Sequence, residues 1–222
     1  MKFIVSYSRE KDINNYLNSV WKFSYQKHGR EGMENKLLKW FSEDFKEKIV
    51  SAQTREEATV VIESYLDNLP QSFKDQTPVI VIGVEKILND CQAEIVDLLE
   101  SVYGKKFPFE TITVFLTSLG ICPYNYDEKW FMSRRSNSIE GHVDTTKHEL
   151  NHFMFYYYYS NVLAKKGLPN DKIEKLKEAF AILTNPEGNN KPEVKELEKY
   201  IKSLNGRSTD QIIELCLNSN LL

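Results

Sequence analysis

The chain has 222 residues, of which 41% are hydrophobic and 27% are charged, so it is long enough and apolar enough to bury a sizeable core. Its formal charge of −3 arises from 29 basic and 32 acidic residues, and this balance predicts neither nucleic acid nor a membrane surface as a partner. The three cysteines, Cys91, Cys122 and Cys216, fit neither a disulfide framework nor a thiolate metal cluster, which favours a reducing compartment.

The first third of the chain carries mainly helical patterns. A short strand is predicted at Lys2 to Tyr7, and we expect it to join a later sheet. Apolar residues then recur at helical spacing, which predicts helices near residues 16–23, 37–45 and 55–69.

A polar connector follows at residues 70–78, between two prolines. It predicts a boundary between a helical N-terminal region, residues 1–75, and a second region, residues 76–222. The apolar stretch near the start is too short for a secretory signal, and no segment approaches the ~20 apolar residues of a membrane span. We therefore expect a cytoplasmic protein.

The second region is predicted to contain a small sheet followed by helices. The β-branched run PVIVIGV, residues 78–84, predicts a buried strand, and a helix is expected from about 90 to 103. Alternation in FETITVFLTS predicts a second strand, and after a loop a third is expected at residues 129–134. Helices are then predicted at about 144–165, 170–184, 191–204 and 208–218, with Gly141, Gly167, Pro186 to Asn190 and Gly206 as breaks. The pattern predicts the α+β class, with a small sheet in a mostly helical chain.

Three of the four histidines lie between residues 142 and 152, and two of them belong to the string HELNH. This string matches H-E-x-x-H at His148 to His152. Residues four apart share a helix face, with Cβ atoms about 5–6 Å apart, so both imidazoles can reach one ion. Zn²⁺ suits such ligands, and Glu149 can then accept a proton from a water activated by the ion.

A second local interpretation concerns the start of this helix. Thr146 and Glu149 fit the T-x-x-E capping box, which would make Glu149 a helix-start residue instead of a base. Asp144 or Thr145 can equally be the N-cap, and either would place the histidine pair one turn inside the helix.

The string resembles the active-site motif of the zincin metallopeptidases, which carry it on a helix below a small mixed sheet. The extension typical of metzincins is absent, because Phe155 and Tyr158 stand at its glycine and histidine positions. The chain looks more like a gluzincin, and this resemblance implies that a glutamate from a following helix completes the zinc site. Glu178, in LKEAFAIL, is the favoured ligand, and Glu174, one turn earlier, is the competitor.

The resemblance has a departure around this glutamate. Thermolysin-like gluzincins carry N-E-x-x-S-D there, whereas this chain reads KEAFAI, so the acidic residue that orients a ligand histidine is missing. Asn185, Asp144 or a backbone carbonyl could replace it. Small Ala179 and Ala181 would let the two helices approach closely.

Further residues are candidates for substrate contacts. Tyr156 follows His152 by one helical turn and could stabilise a developing oxyanion. Arg134 and His142 are candidates for substrate binding, although His142 could equally be a surface histidine. By resemblance to zincins, strand 129–134 would be the edge strand that pairs with an extended peptide. Lys129, Arg134 and Arg135 would place basic charge beside it and favour acidic substrates.

Three functional hypotheses remain open at this point. The first is a zinc metallopeptidase that acts on peptides or proteins, with His148, His152 and Glu178 as ligands and Glu149 as general base. The second is a catalytically inactive zincin-fold binding domain, with or without a structural metal. In the third the motif is coincidental, and the two histidines point to separate environments.

Overall fold

A computed structural model describes residues 1–22, 38–185 and 191–222. It confirms the α+β class, because helices surround one four-stranded mixed sheet. The strands are β1 (Lys2–Tyr7), β2 (Thr111–Thr117), β3 (Tyr124–Asn125) and β4 (Trp130–Arg134). The α-helices are α1 (Arg9–Tyr16), α2 (Glu43–Ser51), α3 (Arg55–Asp67), α4 (Gln71–Asp90), α5 (Gln92–Tyr103), α6 (Ile139–Phe155), α7 (Asn161–Lys165), α8 (Asn170–Phe180), α9 (Lys195–Ser203) and α10 (Thr209–Leu217).

Most predicted helices after residue 38 are confirmed within a few residues, with short 3₁₀ turns at Ala181–Leu183 and Pro192–Val194. Residues 17–22 form a π-helix, and the predicted helical residues Phe23 and Leu37 and the predicted break at 186–190 lie outside the described residues. No described helix combines the length and the apolar composition that crossing a bilayer requires.

The strands are ordered β1-β2-β4-β3, and the first three of these are parallel to one another. The predicted pairing of Lys2–Tyr7 with a later strand is confirmed, since Phe3 pairs with Ile112 of β2. The prediction that strand 129–134 is an edge strand is wrong, because β4 lies between β2 and β3. The two-residue strand β3, within a segment predicted as a loop, pairs antiparallel with Trp130 and Phe131.

The strand predicted at residues 78–84 is also wrong, because this run lies inside α4. Only one face of the run is covered: Val84 is buried, whereas Val79 and Ile82 are each 70% exposed. A short apolar run carries no periodicity that separates a buried strand from a helix. The predicted connector 70–78 is likewise mostly helical, since α4 begins at Gln71.

Polar side chains of α4 complete the outer edge of β1. The Asn89 side chain accepts a hydrogen bond from the Phe3 N–H and donates one to the Phe3 carbonyl, both at 3.0 Å. The Glu85 carboxylate accepts from the Val5 N–H at 2.8 Å. Because Glu85 and Asn89 are one helical turn apart, a single helix face satisfies the backbone groups of an edge strand.

Two hydrophobic clusters stabilise the described residues. One joins the sheet to α4, α5, α6 and the C-terminal helices, and it includes Phe3 and Val5 of β1. The other joins α1, α2 and α3 with Leu119. The predicted boundary at 75/76 therefore falls inside one continuous helix, and β1 packs with the second region because strand pairing is not local in sequence.

Candidate metal centre

The helix that carries the motif begins earlier than predicted. Ser138 is its N-cap and accepts a hydrogen bond from the Gly141 N–H, so the predicted caps Asp144 and Thr145 are wrong, and Gly141 lies within the helix. The capping box is also wrong, because the Thr146 hydroxyl donates to the His142 carbonyl at 2.8 Å. Glu149 therefore lies three turns inside α6 and is free of any capping role.

The two histidines of the motif and Glu178 converge. The Nε2 atoms of His148 and His152 are 3.0 Å apart, and Nε2 of His152 is 3.9 Å from Oε1 of Glu178. One ligand atom from each residue lies within 4.8 Å of the others. The hypothesis that the histidines occupy separate environments is therefore wrong. Glu178 and not Glu174 completes this group, as the gluzincin resemblance implies.

Asn151 fixes the position of α8, which carries Glu178, against α6. It is fully buried, and its side-chain amide donates to the Phe180 carbonyl at 3.3 Å and to the Thr184 hydroxyl at 3.1 Å. Its own carbonyl and its side-chain oxygen accept from the Tyr103 hydroxyl, each at 3.0 Å. Asn151, the third residue between the two histidines, therefore has a structural role that the motif does not reveal.

Glu149 is buried beside the ligand group. Its Oε2 atom has no hydrogen-bond partner among the described residues. Burial, and secondarily the charge of Glu178, raise its pKa to about 8, while the nearby lysines oppose the shift. The Cys122 thiol lies close enough to feel this carboxylate, and burial raises the thiol pKa to about 12, so Cys122 is a neutral neighbour.

Both imidazoles are held in the neutral form. Burial lowers the pKa of His148 and, to a much greater extent, that of His152, and nearby lysines add to the effect at both. The Nδ1 atom of His152 has no partner among the described residues. Neither Asp144 nor Asn185 nor a backbone carbonyl therefore orients His152 through its Nδ1 atom.

A buried lysine that sequence reasoning missed lies beside Glu178. Lys177 is 1% exposed, and its Nζ is 3.2 Å from Oε1 of Glu178 and 2.9 Å from Oε2 of Glu174. It also donates to the Tyr124 hydroxyl and, at 3.4 Å, to the Tyr156 hydroxyl. The sequence does carry a signal for the burial of this lysine, because one helix stripe contains Ile173, Leu176, Lys177 and Phe180.

Tyr156 and Glu174 belong to this lysine network instead of the ligand group. The Tyr156 hydroxyl donates to Glu174 at 2.7 Å and is 2.9 Å from the Tyr124 hydroxyl. Tyr156 begins a π-helical turn, Tyr156–Ser160, directly after α6. Tyr124 also packs against the His152 ring, with centroids 5.6 Å apart, so β3 contributes to the site.

The two predicted substrate-binding residues lie apart from the ligand group. His142 is buried, and its Nδ1 is 2.8 Å from the Ser133 hydroxyl, so the surface-histidine alternative is wrong. Arg134 is exposed at the end of β4. Its neighbour Arg135 donates to Thr77 and to the Phe73 carbonyl and stacks on the Phe73 ring, which is a structural role.

Comparison of the chain with protein-family models, curated proteins and solved structures gave no match. The site is therefore interpreted from its own geometry and from the chemistry of its side chains.

Proposed function

We propose that this protein is a zinc-dependent peptide hydrolase of the gluzincin type, with His148, His152 and Glu178 as metal ligands and Glu149 as general base. The observation that carries the proposal is the approach of Glu178, from α8, to two imidazoles of α6, with the three ligand atoms within 4.8 Å of one another. Two histidines and one glutamate are a ligand set of catalytic zinc sites, which keep a position for water.

The donor atoms suit such an ion. Histidine ligands must be neutral, and burial lowers the pKa of both His148 and His152. Two neutral Nε2 atoms at 3.0 Å share at most one proton, whereas an ion between them would use both lone pairs. In a tetrahedral site with Zn–N bonds of about 2.0–2.1 Å the two nitrogens lie about 3.3 Å apart, so the imidazoles are already near the separation that one ion requires.

Glu149 has the properties of a proton carrier. Its Oε2 is buried without a partner, which costs free energy and is typical of functional sites. In the metal-free protein burial raises its pKa to about 8, and the charge of a bound ion would lower the pKa toward the ionised form that a base requires. Zinc, when bound, supplies a Lewis acid that lowers the pKa of water and polarises a carbonyl. Glu149 would take the proton of the attacking water at Oε2 and pass it to the leaving amine.

Metal analysis and turnover test the proposal together. We expect about one zinc per chain in protein prepared without chelator, retained in Glu149→Gln and lost in Glu178→Ala. Glu149→Gln should lower peptide turnover about 100-fold or more, because it removes the base and keeps the ligands. Glu174→Gln is the matched control, one turn away on the same helix, and it should keep the zinc. Wild-type protein that binds no zinc on reconstitution would contradict the proposal.

One observation favours the second candidate, an inactive zincin-fold binding domain. Both oxygens of Glu178 have cationic partners: Lys177 lies 3.2 Å from Oε1 and Lys191 lies 2.8 Å from Oε2. Their charges hold the pKa of Glu178 below its ordinary value, against the effect of burial. The lysines can therefore stabilise this carboxylate without a metal. Full occupancy by zinc without peptide turnover would favour this candidate.

The proposed setting is the cytoplasm. The three cysteines are all free thiols in the structure, which fits a reducing compartment.

A further inference from the structure

A pocket lined by aromatic rings lies at the carboxyl end of the parallel strands. Its cavity is about 430 Å³, which is within the range of small-ligand sites. Four rings line it, and the backbone of residues 118–121, which follow β2, forms another wall. The aromatic side chains are Tyr16, Trp40, Phe41 and Tyr65.

Two features of this pocket indicate a ligand. Trp40 is 79% exposed, although it is large and apolar, and the Lys39 ammonium lies over its ring at 4.8 Å from the centroid, so this wall of the pocket is an indole ring that is largely open to solvent. Arg134 is the cation at the pocket, and no acidic side chain of the described residues pairs with it. Its neighbour Arg135 is fully engaged with Thr77 and Phe73, so the two arginines differ in availability. Aromatic walls beside an unpaired guanidinium suit a ring or large apolar group next to a carboxylate.

The pocket is connected to the candidate metal centre by a short segment. Ile121 lines the pocket, and Tyr124, three residues later, packs against His152 and hydrogen-bonds with Tyr156. Three residues of extended chain span at most about 10 Å, so a bound peptide could reach from one to the other.

We propose that this aromatic pocket selects the substrate: it takes a large apolar or aromatic side chain of a peptide, and Arg134 binds an adjacent carboxylate of that peptide. The carboxylate belongs to an acidic side chain or to the peptide C-terminus. The inference rests on the proposed function for its biological meaning, but the binding it describes needs neither zinc nor turnover.

Calorimetric titration of the full-length, chelator-treated protein tests the pocket by itself. The probes are Ac-Ala-Phe-Glu-Ala-NH2, the same peptide with Gln for Glu, the same peptide with Ala for Phe, and Ac-Ala-Phe-OH. We expect the Phe-Glu peptide to bind about tenfold more tightly than the peptide with Gln for Glu or the peptide with Ala for Phe, because a charge-assisted hydrogen bond and ring burial each contribute to affinity. Equal or tighter binding of Ac-Ala-Phe-OH would identify the C-terminus as the source of the carboxylate.

Variants assign the contacts. Arg134→Gln should weaken binding of the Phe-Glu peptide about tenfold and leave binding of the Phe-Gln peptide unchanged. Trp40→Ala should weaken binding of both peptides. Arg207→Gln, which replaces another exposed arginine, is the matched control and should change nothing. Absence of binding, or equal affinities across the peptides and variants, would overturn the inference.

The two proposals fail in different ways. Selective peptide binding that depends on Arg134, in a protein that takes up no zinc, would support the proposed pocket and contradict the proposed hydrolase. Zinc binding and peptide turnover, without any effect of Arg134→Gln on peptide choice, would support the hydrolase and contradict the pocket.

Discussion

Lys177 shows how one buried charge organises its surroundings. Its ammonium contacts the carboxylates of Glu174 and Glu178 and the hydroxyls of Tyr124 and Tyr156. Burial alone would lower its pKa, but the charges of Glu178 and Glu174 raise it, so Lys177 stays protonated. Its charge therefore compensates the Glu178 carboxylate of the candidate metal centre, and its hydrogen bond fixes the Tyr124 side chain of β3.

Replacement of Lys177 should be costly. Lys177→Met removes a cationic partner from both Glu174 and the partly buried Glu178, which keeps its second partner Lys191, and we expect the free energy of unfolding to fall by about 3 kcal/mol. Lys199→Met is the matched control, because Lys199 forms an i,i+3 pair with Glu196 that is 72% exposed on both sides. That change should cost less than about 1 kcal/mol. Urea unfolding measures both, and equal losses would contradict the buried role of Lys177.

Glu149 makes the metal-free protein sensitive to pH. Its pKa is about 8 in the folded chain, against an ordinary value of 4.5. Between these values the folded state holds a proton that the unfolded state has released, so a rise in pH lowers the free energy of unfolding.

Glu149→Gln removes this linkage. In chelator, the stability of the wild type relative to Glu149→Gln should decline as pH rises from about 5 to about 8. Buried His152, whose pKa is lowered, destabilises both proteins alike at acid pH, so it cancels in the difference. Urea unfolding at several pH values tests this, and a difference that stays constant with pH would contradict it.

At the scale of elements, the start of α6 sets the depth of the motif in its helix. The sequence offers several caps close to the histidines, and only the structure shows that Ser138 is used. Ser138→Ala should lower the free energy of unfolding by about 1 kcal/mol. Asp144→Ala should change it by less than about 0.5 kcal/mol, because Asp144 is exposed and has only a 3.8 Å pair with Lys147. Thermal unfolding distinguishes the two, and a larger loss in Asp144→Ala would contradict this cap.

Secondary-structure elements with a clear hydrophobic period were predictable from the sequence. Elements that depend on partners distant in the sequence were not. Helix α8 has its apolar residues on one stripe, so its position and the choice of Glu178 could be anticipated. The helical state of the run at 78–84 could not be anticipated, because a short apolar run fits a buried strand as well as a helix. Strand β3 has two residues and is defined only by its partner β4.

At the scale of the whole molecule, the sequence predicts the α+β class and the approach of Glu178 to the two histidines of the motif. The motif and Glu178 are local patterns on two helices, and helix packing through Asn151 brings them together. Lys177 was not predicted as a site residue, because lysines usually lie on the surface, although its place on the apolar stripe of α8 indicates burial. The position of the predicted boundary, 75/76, lies within α4, and β1 of the first region joins a sheet formed mostly by later residues.

The partners of β1 impose an order on folding during synthesis. A ribosome adds roughly 5–20 residues per second, so about 5–20 seconds pass between the synthesis of β1 and that of β2, which begins at Thr111. Until then Phe3 and Val5 have no parallel strand partner, and α4 can offer the polar side chains of Glu85 and Asn89 and the apolar side chains of Val84 and Leu88. The strand therefore completes its backbone pairing only after a long intervening segment has been made, and such non-local pairing slows folding.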